Sequence, residues 1–329
     1  MPPTTALDPR STAALACAVC GNHDARVRYP VRDLIQARDG QWWFVTCQAC
    51  GHGYLSPHPS EQELGELYRS LWSPEGLQLA SNVGRSGFET KLTKARLAGL
   101  RAVLGSHPVQ RLLDVGCGLG FFLRALHEAW PQAEALGVEL VDQAASRAER
   151  PGIDVLRLPW EQVQLPAEDF DIVTLIHFLE HQTDPGVDID KAAALLRPGG
   201  ALVVEVPRLD GWGRRLFGRW YWPHLPPQHL QVFSRAGLVR LLEERGLDVG
   251  FVRARSGYPL QACTTLVLFA RYTFGSQSPY KSNWLVRAPL MALGFSLLPS
   301  FFLFDLLVAP LLNLLGMGDI LLVVGRKKA

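Results

Sequence analysis

The sequence lacks an excess of charge of either sign. Its 329 residues include 33 Lys and Arg against 31 Asp and Glu, which gives a formal net charge of +2. A protein that binds nucleic acid through the phosphates usually carries a clustered basic excess. We therefore expect no nucleic-acid partner.

The N-terminus lacks the features of a secretory signal. Residues 1–12 are polar and contain proline, and the apolar stretch before Cys17 is too short to be a signal core. We expect residues 1–12 to be a disordered tail. We also expect a cytoplasmic protein whose cysteines are reduced.

Charge is scarce near the C-terminus. Between Ala288 and Gly318 the only charged residue is Asp305. A helix needs about 20 apolar residues to span a bilayer, but Pro289, Pro299 and Pro310 interrupt this run and Asp305 splits it.

Four of the six cysteines form two Cys-x-x-Cys pairs, each followed by glycine. Two residues between the sulfurs allow both thiolates of a pair to bind one ion. Residues 13–58 therefore resemble a zinc ribbon, in which four thiolates fill a structural site and leave no position for water. Disulfides are the alternative, which reducing conditions disfavour. We expect His23 and His52 to be surface residues rather than ligands. The predicted ligands are Cys17, Cys20, Cys47 and Cys50.

The rest of the chain is organised around LLDVGCGLGFF, residues 112–122. An apolar run ends in Asp114, glycines follow at every second position, and the next residues are typical of a helix. This pattern predicts a buried strand, a tight turn and a helix. Glycine permits positive φ and a close approach of ligand to backbone. Such a turn suits an adenosine-containing cofactor.

The Asp-x-Gly-x-Gly-x-Gly pattern resembles the first motif of class I S-adenosylmethionine-dependent methyltransferases. A dinucleotide fingerprint would place its third glycine at position 121, which is Phe here. Residues 170–185 (FDIVTLIHFLEHQTDP) resemble the fourth-strand motif of the same family. Residues 196–207 resemble its turn and fifth strand.

The fold class is predicted as α/β, with a doubly wound seven-stranded methyltransferase sheet, an N-terminal zinc ribbon and an apolar helical insert before the last strand. Alternating strand and helix patterns over residues 111–257 indicate parallel strands joined by right-handed crossovers. The insert covers 258–318, and 319–329 holds the last strand and a basic tail. Within the core we expect strands at 111–115, 134–139, 153–157, 170–176 and 201–206, and helices near 120–130, 142–149, 186–196 and 235–246.

Residues 59–110 are predicted to be linker helices. Ser60 and Glu63 resemble a capping box that opens a helix to about Leu71, and Pro74 to Arg85 is predicted to be a loop. A second helix, 87–104, carries leucines at core spacing. It either covers the cofactor entrance, as the resemblance implies, or is a solvated amphipathic helix. Its basic residues are Lys91, Lys94, Arg96 and Arg101.

The resemblance also implies which residues bind S-adenosylmethionine. Glu139 would accept both ribose hydroxyls, Asp114 would organise the turn and contact the amino-acid end, and His177 would lie beside the methionine part. Many members have Asp after the third strand, where this sequence has Pro159 or Trp160, so Trp160 either packs on adenine or belongs to the core. The predicted cofactor-binding residues are Asp114, Gly116, Cys117, Gly118, Gly120, Glu139, Leu140, Trp160, Glu161 and His177.

The implied reaction is in-line attack of an acceptor atom on the sulfonium methyl group. A hydroxyl acceptor would profit from a general base, and histidine titrates near neutrality. The candidates are His181, His224 and His229, without a ranking. The loop 208–234 is rich in Trp, His and Arg, and either lines the acceptor site or is simply packed. A metal site at Glu180 and His181 is disfavoured, because a second nearby pair of ligands is missing.

We therefore expect a methyltransferase that modifies an oxygen of a small or amphiphilic acceptor such as a sugar, lipid or secondary metabolite. Two alternatives remain. An NAD(P)-dependent oxidoreductase shares the turn, but the missing third glycine counts against it. A non-catalytic zinc-ribbon adaptor with a vestigial fold is the other, and the intact glycines argue against it.

The apolar insert is expected to contact a membrane peripherally, on its inner face, through residues 285–318. If the last strand pairs with the sixth, both ends of the insert lie on one side of any membrane, so a single crossing is excluded. A lid and an oligomer interface are the alternatives. Arg287 and the basic tail Arg326–Lys328 would suit anionic headgroups.

Overall fold

The computed structural model describes residues 16–33, 42–71, 87–255, 260–274 and 284–328. The predicted tail 1–12 and the predicted loop Pro74–Arg85 lie outside these residues. The chain divides into two compact units, which we call the ribbon unit and the core unit. The ribbon unit contains Met1–His58, Pro207–Arg235 and Ala254–Ile320, and the core unit contains Pro59–Val206, Ala236–Arg253 and Leu321–Ala329.

Eleven strands and nine α-helices are found in the described residues. In chain order they are β1 (Ala25–Val31), β2 (Trp42–Cys47), β3 (Gly53–Ser56), α1 (Glu61–Leu71), α2 (Gly87–Leu104), β4 (Arg111–Val115), α3 (Phe121–Ala129), β5 (Glu134–Val138), α4 (Asp142–Ala148), β6 (Ile153–Leu156), β7 (Phe170–Ile176), α5 (Pro185–Leu195), β8 (Leu196–Pro207), α6 (Trp212–Phe217), β9 (Gln231–Val232), α7 (Arg235–Glu243), β10 (Leu247–Arg255), α8 (Gln261–Phe274), α9 (Trp284–Leu314) and β11 (Ile320–Lys327).

The large sheet has seven strands in the order β10-β11-β8-β7-β4-β5-β6. This confirms the predicted methyltransferase sheet, including the last strand beside the sixth. Strands β5 and β7 both pair in parallel with β4. The strand order therefore reverses at β4, and ligands of such sheets bind at the carboxyl ends of the strands at this point.

The β4 strand is buried because it is central and covered on both faces. Leu112, Leu113 and Val115 are fully buried, which explains its continuous apolar sequence. The predicted bounds of β4 and β7 agree with the structure, whereas β8 begins at Leu196, ahead of the predicted residue 201. The difference arises because Leu196 already pairs with Phe170 of β7, ahead of the irregular Pro-Gly-Gly segment.

The linker helices have the predicted bounds but a different pattern of burial. The capping box is confirmed, since the Ser60 N–H donates to the Glu63 carboxylate at 2.7 Å and the Glu63 N–H donates to Ser60 Oγ at 3.3 Å. On α2, however, Arg96 is only 2% exposed. Of the basic residues on this helix, Arg96 is therefore directed inward, where it pairs with Glu89 and Glu205 inside the core unit.

The small sheet of the ribbon unit has the order β1-β2-β3-β9. Strand β9 comes from the segment after β8, so this segment is joined to the ribbon by strand pairing. His52 was expected at the surface, and that expectation was wrong. The His52 side chain is fully buried. Its Nε2 lies 2.8 Å from Gln231 Oε1, and its ring centroid lies 5.0 Å from that of Phe233.

The apolar insert consists of α8 and α9, which pack against each other. Helix α9 is continuous over Trp284–Leu314 despite its three prolines. Nor does Asp305 split it. The Asp305 carboxylate accepts hydrogen bonds from the N–H groups of Ala262 and Cys263 at 3.0 and 2.9 Å. It thereby satisfies donors at the first turn of α8, where a negative charge is favourable.

Candidate active site

The turn between β4 and α3 depends on its glycines. Gly116, Gly118 and Gly120 have φ values of 68°, 53° and 71°. Residues that carry a Cβ atom adopt such positive φ values only at an energetic cost. A Cβ atom on Gly116 would lie 2.9 Å from the Phe178 ring, and one on Gly120 would lie 2.8 Å from Ala148 Cβ. The turn thus needs glycine for both conformation and space.

Cys117 lies in the same turn, but its side chain is directed into the core. The residue is 8% exposed, and its Sγ would be 2.7 Å from a Cβ on Gly137. Burial raises the pKa of this thiol. Only the backbone of Cys117 can contribute to binding at the turn.

Glu139 follows β5, and its carboxylate links the segment after β4 to the segment after β5. Its carboxylate accepts hydrogen bonds from the Gly118 N–H and the Val141 N–H, each at 2.9 Å. Burial raises the pKa of this carboxyl, and the backbone hydrogen bonds oppose that shift. Since each carboxylate oxygen has a second lone pair, the side chain is held in place with acceptor capacity to spare.

Asp114 is the buried acid at the end of β4. The Thr174 hydroxyl on β7, its partner in the strand register, donates to Asp114 Oδ1. Burial raises the pKa of this carboxyl to about 7, although the Thr174 hydrogen bond opposes the rise. The side chain thus ties β4 to β7. Its contact with the amino-acid end of a cofactor stays a prediction.

His177 lies directly after β7, with a φ of 52° that is uncommon for a residue other than glycine. Its Nδ1 is 3.0 Å from Glu180 Oε1 and its Nε2 is 3.3 Å from Glu205 Oε1. Burial of the ring opposes protonation, but the hydrogen bonds to both carboxylates raise the pKa of His177 to about 10. The imidazole is therefore a cation at neutral pH.

Glu205 on β8 lies between His177 and Arg96 and completes a charged cluster that the sequence did not reveal. Arg96 Nε lies 3.1 Å from Glu205 Oε2. Burial opposes ionisation of Glu205, but Arg96 and His177 lower its pKa to about 2. The sequence did offer one indication of this cluster, because Glu205 is an acid within the otherwise apolar run of β8. The position of Arg96 among the leucines of α2 offered no such indication.

Beyond β6, Trp160 is buried. The residue is 4% exposed, and the Lys191 ammonium lies 4.2 Å from its ring centroid. Leu140, by contrast, is 55% exposed beside Glu139, and Glu161 is exposed. The adenine contacts of these three residues stay predictions.

The three candidate bases are divided between the units. His181 belongs to the core unit, and His224 and His229 belong to the ribbon unit. Burial lowers the pKa of His224 to about 3, and its Nε2 is 3.1 Å from the Gly218 carbonyl. His229 Nδ1 is 2.8 Å from the Pro223 carbonyl. A carbonyl only accepts, so in neutral His229 the proton is on Nδ1 and Nε2 carries the lone pair.

The segment after β8 is largely packed within the ribbon unit. Trp212, Tyr221, His224 and His229 are all buried. Arg214 lies over the Phe44 ring, 4.8 Å from its centroid. These side chains are packed within the ribbon unit, and a role of this segment at the acceptor site stays a prediction.

The four predicted metal ligands come together in the ribbon unit. Their sulfurs lie within 4.8 Å of one another, with Sγ–Sγ distances of 3.6 Å for Cys17–Cys50 and 3.5 Å for Cys20–Cys47. A tetrahedral ion with Zn–S bonds of about 2.3 Å needs sulfurs about 3.8 Å apart. The residues present thus fit one zinc ion.

Comparison with known proteins places residues 88–250 in a sequence family described as "Methyltransferase domain". A curated relative from Coxiella burnetii (strain Dugway 5J108-111), named ubiquinone biosynthesis O-methyltransferase, is 30% identical over 161 residues, which are 44% of this chain and 63% of the relative. A protein of the same name from Bordetella avium (strain 197N) is 33% identical over 112 residues, 32% of this chain and 46% of the relative. The chain thus spans about half to two thirds of these relatives.

Among solved structures, the crystal structure of the [4+2]-cyclase SpnF matches with a TM-score of 0.51 and 17% identity. The match covers 83% of this chain and 97% of that one. A likeness at this identity concerns the fold alone.

Proposed function

Because residues 88–250 belong to the methyltransferase domain family, and the chain has the class I S-adenosylmethionine-dependent methyltransferase fold, we propose that this protein transfers the methyl group of S-adenosylmethionine to an oxygen of a small or amphiphilic acceptor. The observation that carries the proposal is Glu139, which backbone N–H groups hold beside the glycine turn. The names of the curated relatives support oxygen as the acceptor atom.

The residues of the turn fit such a cofactor. Glu139 would accept the two ribose hydroxyls, and the backbone from Gly116 to Gly120 offers close approach without side chains. S-adenosylmethionine supplies an already activated methyl group. This chain would chiefly bind and orient the reactants, and such positioning can contribute about 7–11 kcal/mol to catalysis.

His177 would act as a fixed cation at this site. Both of its ring nitrogens donate to carboxylates, so it has no lone pair to accept a proton. It would orient the methionine part of the cofactor rather than serve as the base.

Among the candidate bases, His224 is disfavoured, because burial lowers its pKa to about 3 and makes it a weak base. His181 and His229 are retained as candidates without a ranking.

The four cysteines would bind one structural zinc ion. The site would hold the small sheet together and, through β9, the segment that follows β8. With four sulfur ligands no position is left for catalytic water.

The test is formation of S-adenosylhomocysteine by the full, zinc-loaded chain, offered short-chain phenols and alkyl glycosides. We expect cofactor-dependent product that carries a new O-methyl group. Methylation only at carbon or nitrogen would contradict oxygen as the acceptor atom. Absence of both product and cofactor binding would contradict the proposal as a whole.

We further propose that the protein is cytoplasmic and that residues 285–318 contact the inner face of a membrane. An amphiphilic acceptor would be concentrated at that interface. The 19 residues Ser296–Leu314 are long and apolar enough to cross a membrane, but β11 returns between β10 and β8. The sheet therefore favours peripheral contact over a single crossing.

A further inference from the structure

The outer side of α9 exposes only apolar side chains over residues 301–315. Every exposed residue in that range is Phe, Leu, Val or Pro. Several expose half or more of their surface, with Leu307 at 60% and Leu314 at 85%. They recur at helical spacing and form one stripe. Its main members are Phe302, Leu303, Leu306, Leu307, Leu311 and Leu314.

The opposite side of α9 packs on α6, within the ribbon unit. Phe304 lies 5.4 Å from the Trp212 ring, and Phe301 lies 6.3 Å from the Phe217 ring, between centroids. Asp305 faces α8, where it accepts the two N–H bonds described above. The one acidic residue of α9 is therefore hydrogen-bonded within the protein, and the exposed residues of the stripe carry no charge.

Two exposed arginines lie on the segment that packs against α8 and α9. Arg215 and Arg219 are exposed, on and just after α6. Arg219 lies over Trp220, 5.0 Å from the ring centroid, and Trp220 meets Phe269 of α8 edge to face at 4.8 Å. Tryptophan with nearby arginine is typical of the boundary between lipid chains and headgroups.

The basic residues expected from the sequence have other roles. Arg326 donates to the Gly199 carbonyl at 3.0 Å, and Lys327 lies 3.3 Å from Glu168. Both are engaged within the core unit, and the side chain of Arg287 lies outside what the structure describes. Among the described residues, Arg215 and Arg219 supply exposed positive charge on a segment that packs against α8 and α9.

We propose that the α9 stripe and residues 215–220 form one docking surface for an anionic lipid bilayer. The inference deepens the proposed function, on which it rests for the amphiphilic acceptor. A second copy of the chain would cover a patch bounded by a polar rim, whereas every exposed residue in the range 301–315 is apolar. A bilayer would need no polar rim, because its headgroups would contact the arginines and its acyl chains would contact the leucines.

The test uses the full, zinc-loaded chain and vesicles of phosphatidylcholine, alone or mixed with phosphatidylglycerol. We expect cosedimentation with the mixed vesicles at least about tenfold stronger than with phosphatidylcholine alone. Leu307→Glu should weaken binding to mixed vesicles about tenfold or more, because it places a carboxylate in the stripe. The matched control is Val187→Glu, at a residue 61% exposed on α5, and it should bind as wild type does. Replacing both arginines by serine should remove the preference for anionic lipid.

Three results would overturn the inference. These are wild-type protein that stays soluble with both vesicle types, equal binding by the Leu307→Glu and Val187→Glu variants, and a dimer in solution that Leu307→Glu dissociates without any vesicle binding. Calorimetry with S-adenosylhomocysteine on the same samples separates the two proposals. Cofactor binding without vesicle binding refutes the docking surface and the proposed membrane contact but leaves methyl transfer standing, whereas vesicle binding without cofactor binding refutes the proposed methyl transfer alone.

Discussion

Replacing Glu139 by Gln should weaken cofactor binding far more than it weakens the fold. In the structure, one carboxylate oxygen accepts from Gly118 and the other from Val141. Glutamine keeps one of these oxygens as a neutral acceptor and replaces the other by an NH₂ donor, so one ribose hydroxyl loses its acceptor altogether. A hydrogen bond to a charged group contributes about 1.5–3 kcal/mol, which corresponds to a loss of about 10- to 150-fold in affinity.

The same substitution places the new NH₂ group against a backbone N–H donor. An unsatisfied buried donor costs about 1–3 kcal/mol, so we also expect a modest loss of stability. The assay is calorimetric titration with S-adenosylhomocysteine, with thermal unfolding of the same samples. Glu128→Gln, at an exposed position on α3, is the matched control and should bind as wild type does. A folded Glu139→Gln variant that binds within about threefold of wild type, less than the weakest bond considered, would refute the reasoning.

Three further predictions concern the other parts of the site. Cys47→Ser should release zinc and destabilise the ribbon unit with little change in cofactor affinity, because the metal site and the turn lie in different units; metal analysis, thermal unfolding and titration check this, and Cys263→Ser is the control. His177 has a pKa raised to about 10, so its contribution to stability should be complete below about pH 6.5 and decline as the pH rises towards 10. Unfolding of wild type and His177→Gln across that range measures it, and a constant difference would contradict the assignment. If His229 is the base, His229→Ala should lower turnover about 10²–10⁴-fold with cofactor affinity unchanged, while His224→Ala should act mainly on stability; equal turnover in wild type and His229→Ala would remove that base.

Local sequence patterns predicted those parts of the molecule whose structure is set by neighbouring residues. The glycine turn, the strand β4 and the capping box of α1 all depend on contacts within a few positions of the chain. Two Cys-x-x-Cys pairs predicted a four-sulfur cluster, because the spacing within each pair already fixes half of the site.

The residues whose surroundings the sequence did not reveal depend on contacts far along the sequence. Arg96 resembles any basic residue of an amphipathic helix until Glu205, on β8, is seen to pair with it. His52 is buried only because Gln231 and Phe233 arrive from the segment after β8. Asp305 looks like a break in an apolar run, and only the packing of α8 shows that it caps another helix.

The most direct test of the central claim is calorimetric titration of the wild-type, zinc-loaded chain with S-adenosylhomocysteine, repeated at a second temperature so that a small enthalpy is not mistaken for absence of binding. We expect saturable binding at one site per chain, competed by S-adenosylmethionine. Absence of heat at both temperatures, in protein shown to be folded, would contradict a nucleoside site at Glu139 and the glycine turn.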